Sequence, residues 1–525
     1  MTRSLDIIFF IPPVVLTRST IAAHIFVAIL SMFLLVSSWR TIKHGLATVS
    51  RLFSAWNYLF NGCNMIQDAF DKSNGGPFEI LAPDSRYIFV SSPKHIREVD
   101  TAADDVLSLH AASNQMLQPK YTMHNFNWFN ARGTEGVGFV RALRTLLTNN
   151  LRHILPDLDT LNHAHLEQLL SDHPVFGGER TASIYPIIVQ LVVSSNAVSF
   201  FGRDLARNHK FMESALSYVE EVLITAEIIR LIPKSVAPIV GRLIAYRLKS
   251  HNVVFECLLQ VAEQRCQERD RAILGQPVPK HADCVQWIME TLPQKDPWSP
   301  QRVVHKLMAI WFGSVHALST TITFAMHDIC LHPEYVDPLR NELQERYQDF
   351  KHTAEGLPLL DSFIKESARL TPVEAMSTRR LALKPFTFSD GTFLNIGDWA
   401  CTPVQALMKD PGYYPQPLEF RGFRFVAQQQ LPENQSTPCA QQKPSKLTGV
   451  DGSWHVWGTG RMACPGRYYA ACVMKIIIAQ IIMNYDCRLA DPNARRMWTW
   501  RSTMLPIQQT KMVFTKLSGD QELNV

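Results

Sequence analysis

The sequence predicts a mostly α-helical protein with a small β-rich part, an α+β fold, preceded by one amino-terminal membrane helix. Residues 154–280 and 301–330 carry apolar and polar side chains in a helical pattern. Shorter runs at 75–99 and 377–417 alternate strand-forming residues with Pro, Gly, Asp and Ser turns, and Asp390-Gly391 predicts a hairpin. Residues 21–38 contain no Asp, Glu, Lys or Arg. Together these runs place a membrane helix, a helical body and a small sheet along the chain.

The composition favours one large globular domain. The chain has 525 residues, of which 46% are hydrophobic and 19% are charged, so it can bury a large core. It contains no internal repeat and no Pro/Gly/Ser-rich linker. We therefore expect an anchor at residues 1–45 and one domain at 46–525.

Charge and cysteine content exclude several classes of protein. The net charge of +5 is small and dispersed, which argues against a nucleic-acid partner. The ten cysteines show neither CxxC pairs nor the His/Cys spacing of zinc sites. The pattern is typical of a protein from a reducing compartment without structural zinc.

Residues 21–38 predict an uncleaved transmembrane helix at about 21–39. A bilayer needs roughly 20 apolar residues, and Trp39, Arg40 and Lys43 follow the run as interfacial and cytosolic residues do. A signal peptide is the alternative, but no clear small-residue cleavage site follows. The prediction is a single-pass membrane protein whose large domain is cytosolic. The sequon at Asn434 would then stay unmodified, although the sequence leaves its glycosylation open.

The segment Trp457–Ala470, WGTGRMACPGRYYA, places Cys464 between a glycine-rich loop and a long apolar helix. A thiolate there would face the positive end of the helix, which favours negative charge and lowers a thiol pKa. Arg461 and Arg467 add positive charge. Cys464 is therefore a candidate soft anionic ligand, and the alternative is an ordinary buried cysteine.

The order aromatic, Gly, any residue, Gly, Arg, two residues, Cys, Pro, Gly resembles the haem-binding loop of cytochrome P-450 enzymes. This resemblance implies that Cys464 is the metal ligand, the proximal thiolate of haem iron. It also implies an oxidoreductase that splits O2 with two electrons and inserts one oxygen atom into an apolar substrate. The sequence around CPGRYYA is most similar to fungal secondary-metabolism members of the family.

Two further motifs support the resemblance. Glu366 and Arg369 lie three residues apart in a helical pattern, and Arg424 lies in the segment Phe420–Phe425. In the family, the E-x-x-R pair binds the arginine of a Phe-x-x-x-Arg-Phe loop. The resemblance thus implies a buried ion network of Glu366, Arg369 and Arg424, and it places the segment 373–378 against the substrate.

The resemblance also implies basic partners for the haem propionates. Arg144 lies in the helical pattern at 137–151, where a solvated helix face is the alternative. Arg380 matches the family's propionate-binding arginine, with Arg379 as the fallback. Arg461 lies in residues 457–466, which we call the cysteine loop, and is a third cofactor-binding candidate.

The pattern at 301–330 predicts a central helix with a polar island at 313–321. In the family, this helix offers small residues, an acid and a Thr beside the oxygen-binding face of haem. Here Gly313 and Ser314 are followed by His316 in place of the acid and Ala317 in place of the Thr. We predict that protons reach bound O2 through His316, Ser319, Thr320 or ordered water. The alternative for His316 is a core histidine.

The sequence therefore predicts a membrane-anchored haem monooxygenase that acts on a terpenoid, meroterpenoid or indole alkaloid. Electrons would come from NADPH through a cytochrome reductase partner, because the chain contains no flavin or dinucleotide glycine fingerprint. Ala317 motivates one alternative, an isomerase, dehydratase or ring-forming oxidase on the same fold. A haem or lipid binder without turnover is another. The resemblance also implies an enzyme of the endoplasmic reticulum with a cytosolic catalytic domain.

Overall fold

The computed structural model describes residues 45–126, 140–291, 298–431 and 443–517, with the backbone alone at 45–52. The predicted membrane helix at 21–39 and the sequon at Asn434 lie outside the described residues. The anchor and its boundary at residue 45 therefore stay predictions.

The mostly helical prediction is confirmed. The helices are α1 Gly45–Ser73, α2 Pro93–Thr101, α3 Leu109–Leu117, α4 Pro119–Thr122, α5 Thr148–Ser171, α6 Ile184–Phe201, α7 Arg203–Ala206, α8 His209–Leu231, α9 Ala237–Arg247, α10 Ser250–Ile273, α11 Cys284–Glu290, α12 Pro300–Leu331, α13 Val336–Thr353, α14 Pro358–Leu370, α15 Val404–Met408 and α16 Arg467–Asn484. A π-helix at Ala142–Leu147 leads directly into α5, and 3₁₀ turns occur at Pro333–Tyr335, Gln428–Gln430 and Gly460–Met462.

The small β-rich part is also confirmed. The strands are β1 Phe78–Leu81, β2 Arg86–Phe89, β3 Leu107–Ser108, β4 Val175–Phe176, β5 Glu179–Ser183, β6 Ser377–Ala382, β7 Phe386–Thr387, β8 Phe393–Leu394, β9 Trp399–Thr402, β10 Tyr485–Leu489, β11 Met497–Trp500, β12 Thr503–Pro506 and β13 Lys511–Lys516. One sheet has the order β1-β2-β9-β6-β3, in which only β2 and β9 run parallel. A second has the order β10-β13-β5-β4, and β7-β8 and β11-β12 form two hairpins.

Helix α12 forms the centre of the helical body. It begins where Ser299 Oγ accepts a hydrogen bond from the N–H of Arg302 at 3.3 Å, with Pro300 in the first helical position. It packs against α6, α10, α14 and α16. Most of its 32 side chains are buried, so it positions the residues that line the interior of the protein.

Within the described ranges, α6 and α12 are long and apolar enough to span a bilayer. However, 72% of the apolar window of α6 and 67% of that of α12 are buried inside the protein. Their apolar character therefore follows from their place in the core.

The helical prediction for residues 154–280 is wrong at 175–183, where β4 and β5 form a hairpin. Gly177 and Gly178 make the turn with φ of 60° and 85°, a region that favours glycine. Strand β5 pairs with β13 near the carboxyl end of the chain. This pairing depends on a distant segment, and a local hydrophobic pattern cannot predict it.

A buried ion network joins α8 to two turns that are distant from it in sequence. Asp84 lies in the β1–β2 turn, where it accepts hydrogen bonds from Arg230 of α8 at 2.8 Å and from Arg501 of the β11–β12 turn at 2.7 Å. Arg501 also donates to Glu227 at 2.8 Å. Less than a tenth of each side chain of Asp84, Arg230 and Arg501 is exposed. The network therefore fixes the end of α8 against both turns.

Asp84→Asn is expected to destabilise the protein at neutral pH and to destabilise it less at pH 3. Burial would raise the pKa of Asp84, but Arg230 and Arg501 outweigh it and lower the pKa. A lowered carboxyl pKa contributes stability fully above the unfolded value, about 3.9, and loses it as the pH falls through the folded value. Melting temperatures at pH 7 and pH 3 check this. An equal difference between variant and wild type at both pH values would contradict the electrostatic account.

Candidate active site

The cysteine loop folds back on itself just before α16. Gly458 and Gly460 adopt positive φ of 79° and 57°, and the N–H of Cys464 donates to the carbonyl of Trp457 at 2.7 Å. A Cβ on Gly460 would lie 2.7 Å from the carboxyl carbon of Asp100. The loop therefore needs glycine at this position both for its backbone angle and for close approach to α2.

The predicted lowering of the Cys464 thiol pKa is wrong for the chain alone. Burial raises this pKa, while the backbone N–H groups of Gly466 and Arg467 and the charges of Arg467 and Arg144 lower it only in part. Desolvation is the larger effect because the half-buried thiol lies against the protein interior. The donor set still suits a metal ion, since a coordinated thiol loses its proton.

Arg144 reaches the cysteine loop from the π-helix that precedes α5. Its Nη2 lies 3.5 Å from the carbonyl of Arg461 and 3.4 Å from that of Ala463. Its Nε is buried and has no hydrogen-bond partner among the described residues. A buried guanidinium nitrogen without a partner fits an anionic group at this place.

Arg380 lies inside the protein on β6. Only 5% of its side chain is exposed, and its Nη2 is 3.5 Å from Asp100. Burial lowers its pKa, which Asp100 and Asp104 partly oppose. The fallback candidate, Arg379, instead pairs with Glu374 at 2.6 Å. Asp100 also accepts a hydrogen bond from Thr459 of the cysteine loop at 2.8 Å. Asp100 therefore links Arg380 to this loop.

Arg461 points away from the interior. It donates to Asp104 at 2.9 Å and to the carbonyl of Ala102 at 3.1 Å, and 54% of its side chain is exposed. The structure therefore brings Arg380 and Arg144 to the inner side of the cysteine loop and places Arg461 at its rim. Asp100, which links the loop to Arg380, was missed because a lone acid at the end of a helix matches no motif.

The polar island of α12 faces an open space. Gly313 and Ala317 are exposed although they lie in the middle of a largely buried helix, and Ala309 one turn earlier is half-buried. A Cβ added to Gly313 would meet nothing within 4 Å. These small residues recur at four-residue spacing, so one side of the helix offers a smooth apolar surface to a flat group.

A short hydrogen-bond chain holds this surface near the cysteine loop. Asn196 of α6 donates to Ser314 Oγ at 3.1 Å and accepts from the Tyr469 hydroxyl at 3.0 Å. Tyr469 lies in the first turns of α16, five residues after Cys464. The thiol and the open side of α12 are thereby fixed relative to one another.

The three proton-relay candidates lie together on α12. Nδ1 of His316 is 3.4 Å from the hydroxyl of Tyr185. Among the described residues, His316 Nε2, Ser319 Oγ and Thr320 Oγ1 are buried without a hydrogen-bond partner. Burial lowers the pKa of His316 to about 4, so this imidazole is neutral at physiological pH.

The predicted ion network lies behind the site. Arg369 donates to Glu366 through Nε at 2.7 Å and Nη2 at 2.8 Å, and Arg424 donates through Nε at 3.0 Å. Glu366 and Arg369 are fully buried, and 3% of the Arg424 side chain is exposed. Both arginines also donate to backbone carbonyls of residues 408–419. The network therefore connects α14 to the segment that precedes the cysteine loop.

Haem fits these residues. Within the described part of the chain, no three His, Cys, Asp or Glu side chains gather to hold a metal ion by themselves. An ion at Cys464 would need its other ligands from a cofactor, which a porphyrin supplies. The smooth side of α12 suits a flat macrocycle, and Arg144 and Arg380 suit its carboxylates.

Comparison with known proteins assigns the chain to a family. The model of the family Cytochrome P450 matches residues 56–514. Cytochrome P450 monooxygenase olcJ of Penicillium canescens is 26% identical over 476 residues, which cover 89% of this chain and 85% of the relative. Cytochrome P450 monooxygenase 151 of Postia placenta is 27% identical over 479 residues, which cover 88% of this chain and 90% of the relative.

Among solved structures, the retinoic-acid-bound cyanobacterial CYP120A1 matches with a TM-score of 0.62 over 88% of this chain and 97% of that protein. At 18% identity, this likeness supports the fold alone. The fold and the family match agree. The chain therefore belongs to the cytochrome P450 family, and it is a haem-thiolate oxidoreductase of the monooxygenase class.

Proposed function

We propose that this monooxygenase inserts one oxygen atom from O2 into an apolar fungal secondary metabolite, a terpenoid, meroterpenoid or indole alkaloid. The observation that supports the proposal most is that Tyr469, five residues after Cys464, is joined through Asn196 to Ser314, which lies next to the small, uncharged residue Gly313 of α12. The fungal origin of its relatives supports the metabolite class. Electrons come from NADPH through a cytochrome reductase.

Each site residue then has a role. Haem held by Cys464 supplies oxygen activation. Arg144 and Arg380 bind the haem carboxylates by charge-assisted hydrogen bonds. A role for Arg461 requires its side chain to leave Asp104 and Ala102. The ion network of Glu366, Arg369 and Arg424 fixes the position of the segment that precedes the cysteine loop.

His316, Ser319 and Thr320 supply protons in place of the missing hydroxyl at Ala317. Their polar atoms lie on adjacent turns of α12 and lack partners among the described residues, so they can hold water. The neutral state of His316 lets it donate and accept at the same time.

Labelling with ¹⁸O₂ tests the reaction class. The holoenzyme, a suitable reductase, NADPH and candidate metabolites should yield a product that carries one ¹⁸O atom. A product without label would favour the alternative, an isomerase, dehydratase or ring-forming oxidase. Metabolite profiling of a host with and without this chain identifies the substrate to use. Absence of both product and substrate-dependent spectral change would favour a binder without turnover.

Ala317→Thr is expected to raise the fraction of NADPH that ends in product. The added hydroxyl would stand on the open side of α12 and supply the donor that Ala317 lacks. One hydrogen bond corresponds to a gain of up to about fivefold. Product formed per NADPH consumed measures this coupling. A fall in coupling would indicate that His316 and its neighbours require the small side chain.

We propose that the chain is a single-pass protein of the endoplasmic reticulum. Besides the predicted helix at 21–39, α9 exposes Ile239, Leu243 and Tyr246 on one side, with 63%, 64% and 85% of each residue accessible. Its other side packs through Gly241 on Tyr121. We expect the chain to remain in the membrane fraction after alkaline carbonate and to require detergent for release. Release by carbonate alone would contradict the anchor.

A further inference from the structure

Three buried polar atoms without partners lie within five residues of α12. They are His316 Nε2, Ser319 Oγ and Thr320 Oγ1. Ser319 and Thr320 follow His316 by three and four residues, so the three side chains are neighbours on the helix surface. Ser319 and Thr320 are fully buried. Buried polar atoms nearly always have a partner, and a cluster of unpaired ones indicates ordered water.

Tyr185 meets this cluster from the start of α6. Its side chain is 7% exposed, and its hydroxyl lies 3.4 Å from Nδ1 of His316. The Thr320 hydroxyl lies close enough to the phenol to oppose in part the rise of its pKa on burial, although the two groups do not meet in regular hydrogen-bond geometry. Glu220 of α8 is the described carboxylate whose charge acts on Tyr185. Among the described residues, Tyr185 is thus the polar side chain outside α12 that contacts the His316 ring, through Nδ1.

The protonation states of the two rings restrict how they can bond. Burial raises the pKa of Tyr185 to about 12 and lowers that of His316 to about 4. Both groups are therefore neutral near pH 7. A neutral imidazole carries one N–H, and its position depends on the bond that the other nitrogen makes. If the phenol donates to Nδ1, the proton must lie on Nε2.

We infer that Tyr185 is a positioning residue that fixes His316 as the Nε2–H tautomer. Nε2–H, Ser319 Oγ and Thr320 Oγ1 then hold an ordered water beside the open side of α12. This inference deepens the proposed proton supply and rests on it for its catalytic consequence. It assigns Tyr185 a part in the site that no motif of the sequence indicates.

Tyr185→Phe tests the inference, with Tyr218→Phe as the matched control. Tyr218 is another buried tyrosine, on α8, and its hydroxyl has no partner among the described residues, so its loss removes no hydrogen bond. ¹⁵N-histidine NMR of the reduced, CO-bound holoenzyme reports the tautomer, and the resonance is assigned by its absence in His316→Gln. We expect Nε2–H in the wild type and in Tyr218→Phe, and a mixture of tautomers in Tyr185→Phe.

Coupling of NADPH to product gives the second measurement. Tyr185→Phe should lower coupling about fivefold, the factor of one neutral hydrogen bond, while substrate affinity from spectral titration stays unchanged. Nδ1–H in the wild type, or an unchanged tautomer in Tyr185→Phe, would overturn the inference. If the wild-type product carries no ¹⁸O, the proposed function fails, and the NMR result still decides the role of Tyr185.

Discussion

Cys464→Ala is expected to abolish the absorbance that marks thiolate-ligated haem in the reduced, CO-bound protein, together with all monooxygenase activity. Cys464 is a free cysteine, and the described residues contain no cluster of metal-ligating side chains that could take its place. Alanine removes the ligand while leaving the backbone angles of the loop accessible. A CO difference spectrum of the purified variant checks this result.

Cys472→Ala is the matched control. Cys472 is a buried cysteine in α16 that contacts the carbonyl of Ala354. Its truncation should leave the spectrum unchanged and cost a little stability through the lost packing. An unchanged spectrum in Cys464→Ala, or a lost one in Cys472→Ala, would show that the ligand has been assigned to the wrong cysteine.

Glu366→Ala is expected to lower the free energy of unfolding by about 3–5 kcal/mol, the usual cost of removing one partner from a buried ion pair. The change leaves Arg369 fully buried without a counter-charge. It also releases Arg424 and the N–H of Arg421, which both bind Glu366 at 3.0 Å. Because native proteins are stable by only about 5–15 kcal/mol, little folded holoenzyme should accumulate. Denaturant unfolding and haem content per chain measure the two effects.

Lys384→Ala serves as the control for Glu366→Ala. Lys384 pairs with Asp105 at 2.6 Å, but more than half of each side chain is exposed. Such surface pairs contribute about 0–1 kcal/mol. If the two variants lose similar stability, the burial of the Glu366 network does not have the importance assigned to it.

The sequence predicted those features that local pattern and fixed spacing determine. The long apolar run at 301–330 became α12, and the hairpin at Asp390-Gly391 joins β7 to β8. Glu366 and Arg369 lie three residues apart on one helix, so their contact follows from helical geometry once the segment is helical. The placement of His316 beside Ser319 and Thr320 follows in the same way.

The remaining features depend on contacts between distant segments. Tyr185 and Asp100 carry no motif, and they reach the site only because α6 and α2 pack beside α12 and the cysteine loop. Arg461 has the sequence position of a cofactor ligand but turns to Asp104, which a spacing rule cannot show. The helix end alone predicts a lowered pKa for the Cys464 thiol. Burial, which depends on the whole fold, raises this pKa by more than the helix end lowers it.

The central claim is that Cys464 holds haem iron, and the absorbance spectrum of the purified wild-type chain tests it most directly. We predict a red protein with one haem per chain and, after reduction and CO binding, the spectrum of a thiolate-ligated iron. A colourless protein that also fails to bind added hemin would contradict the account.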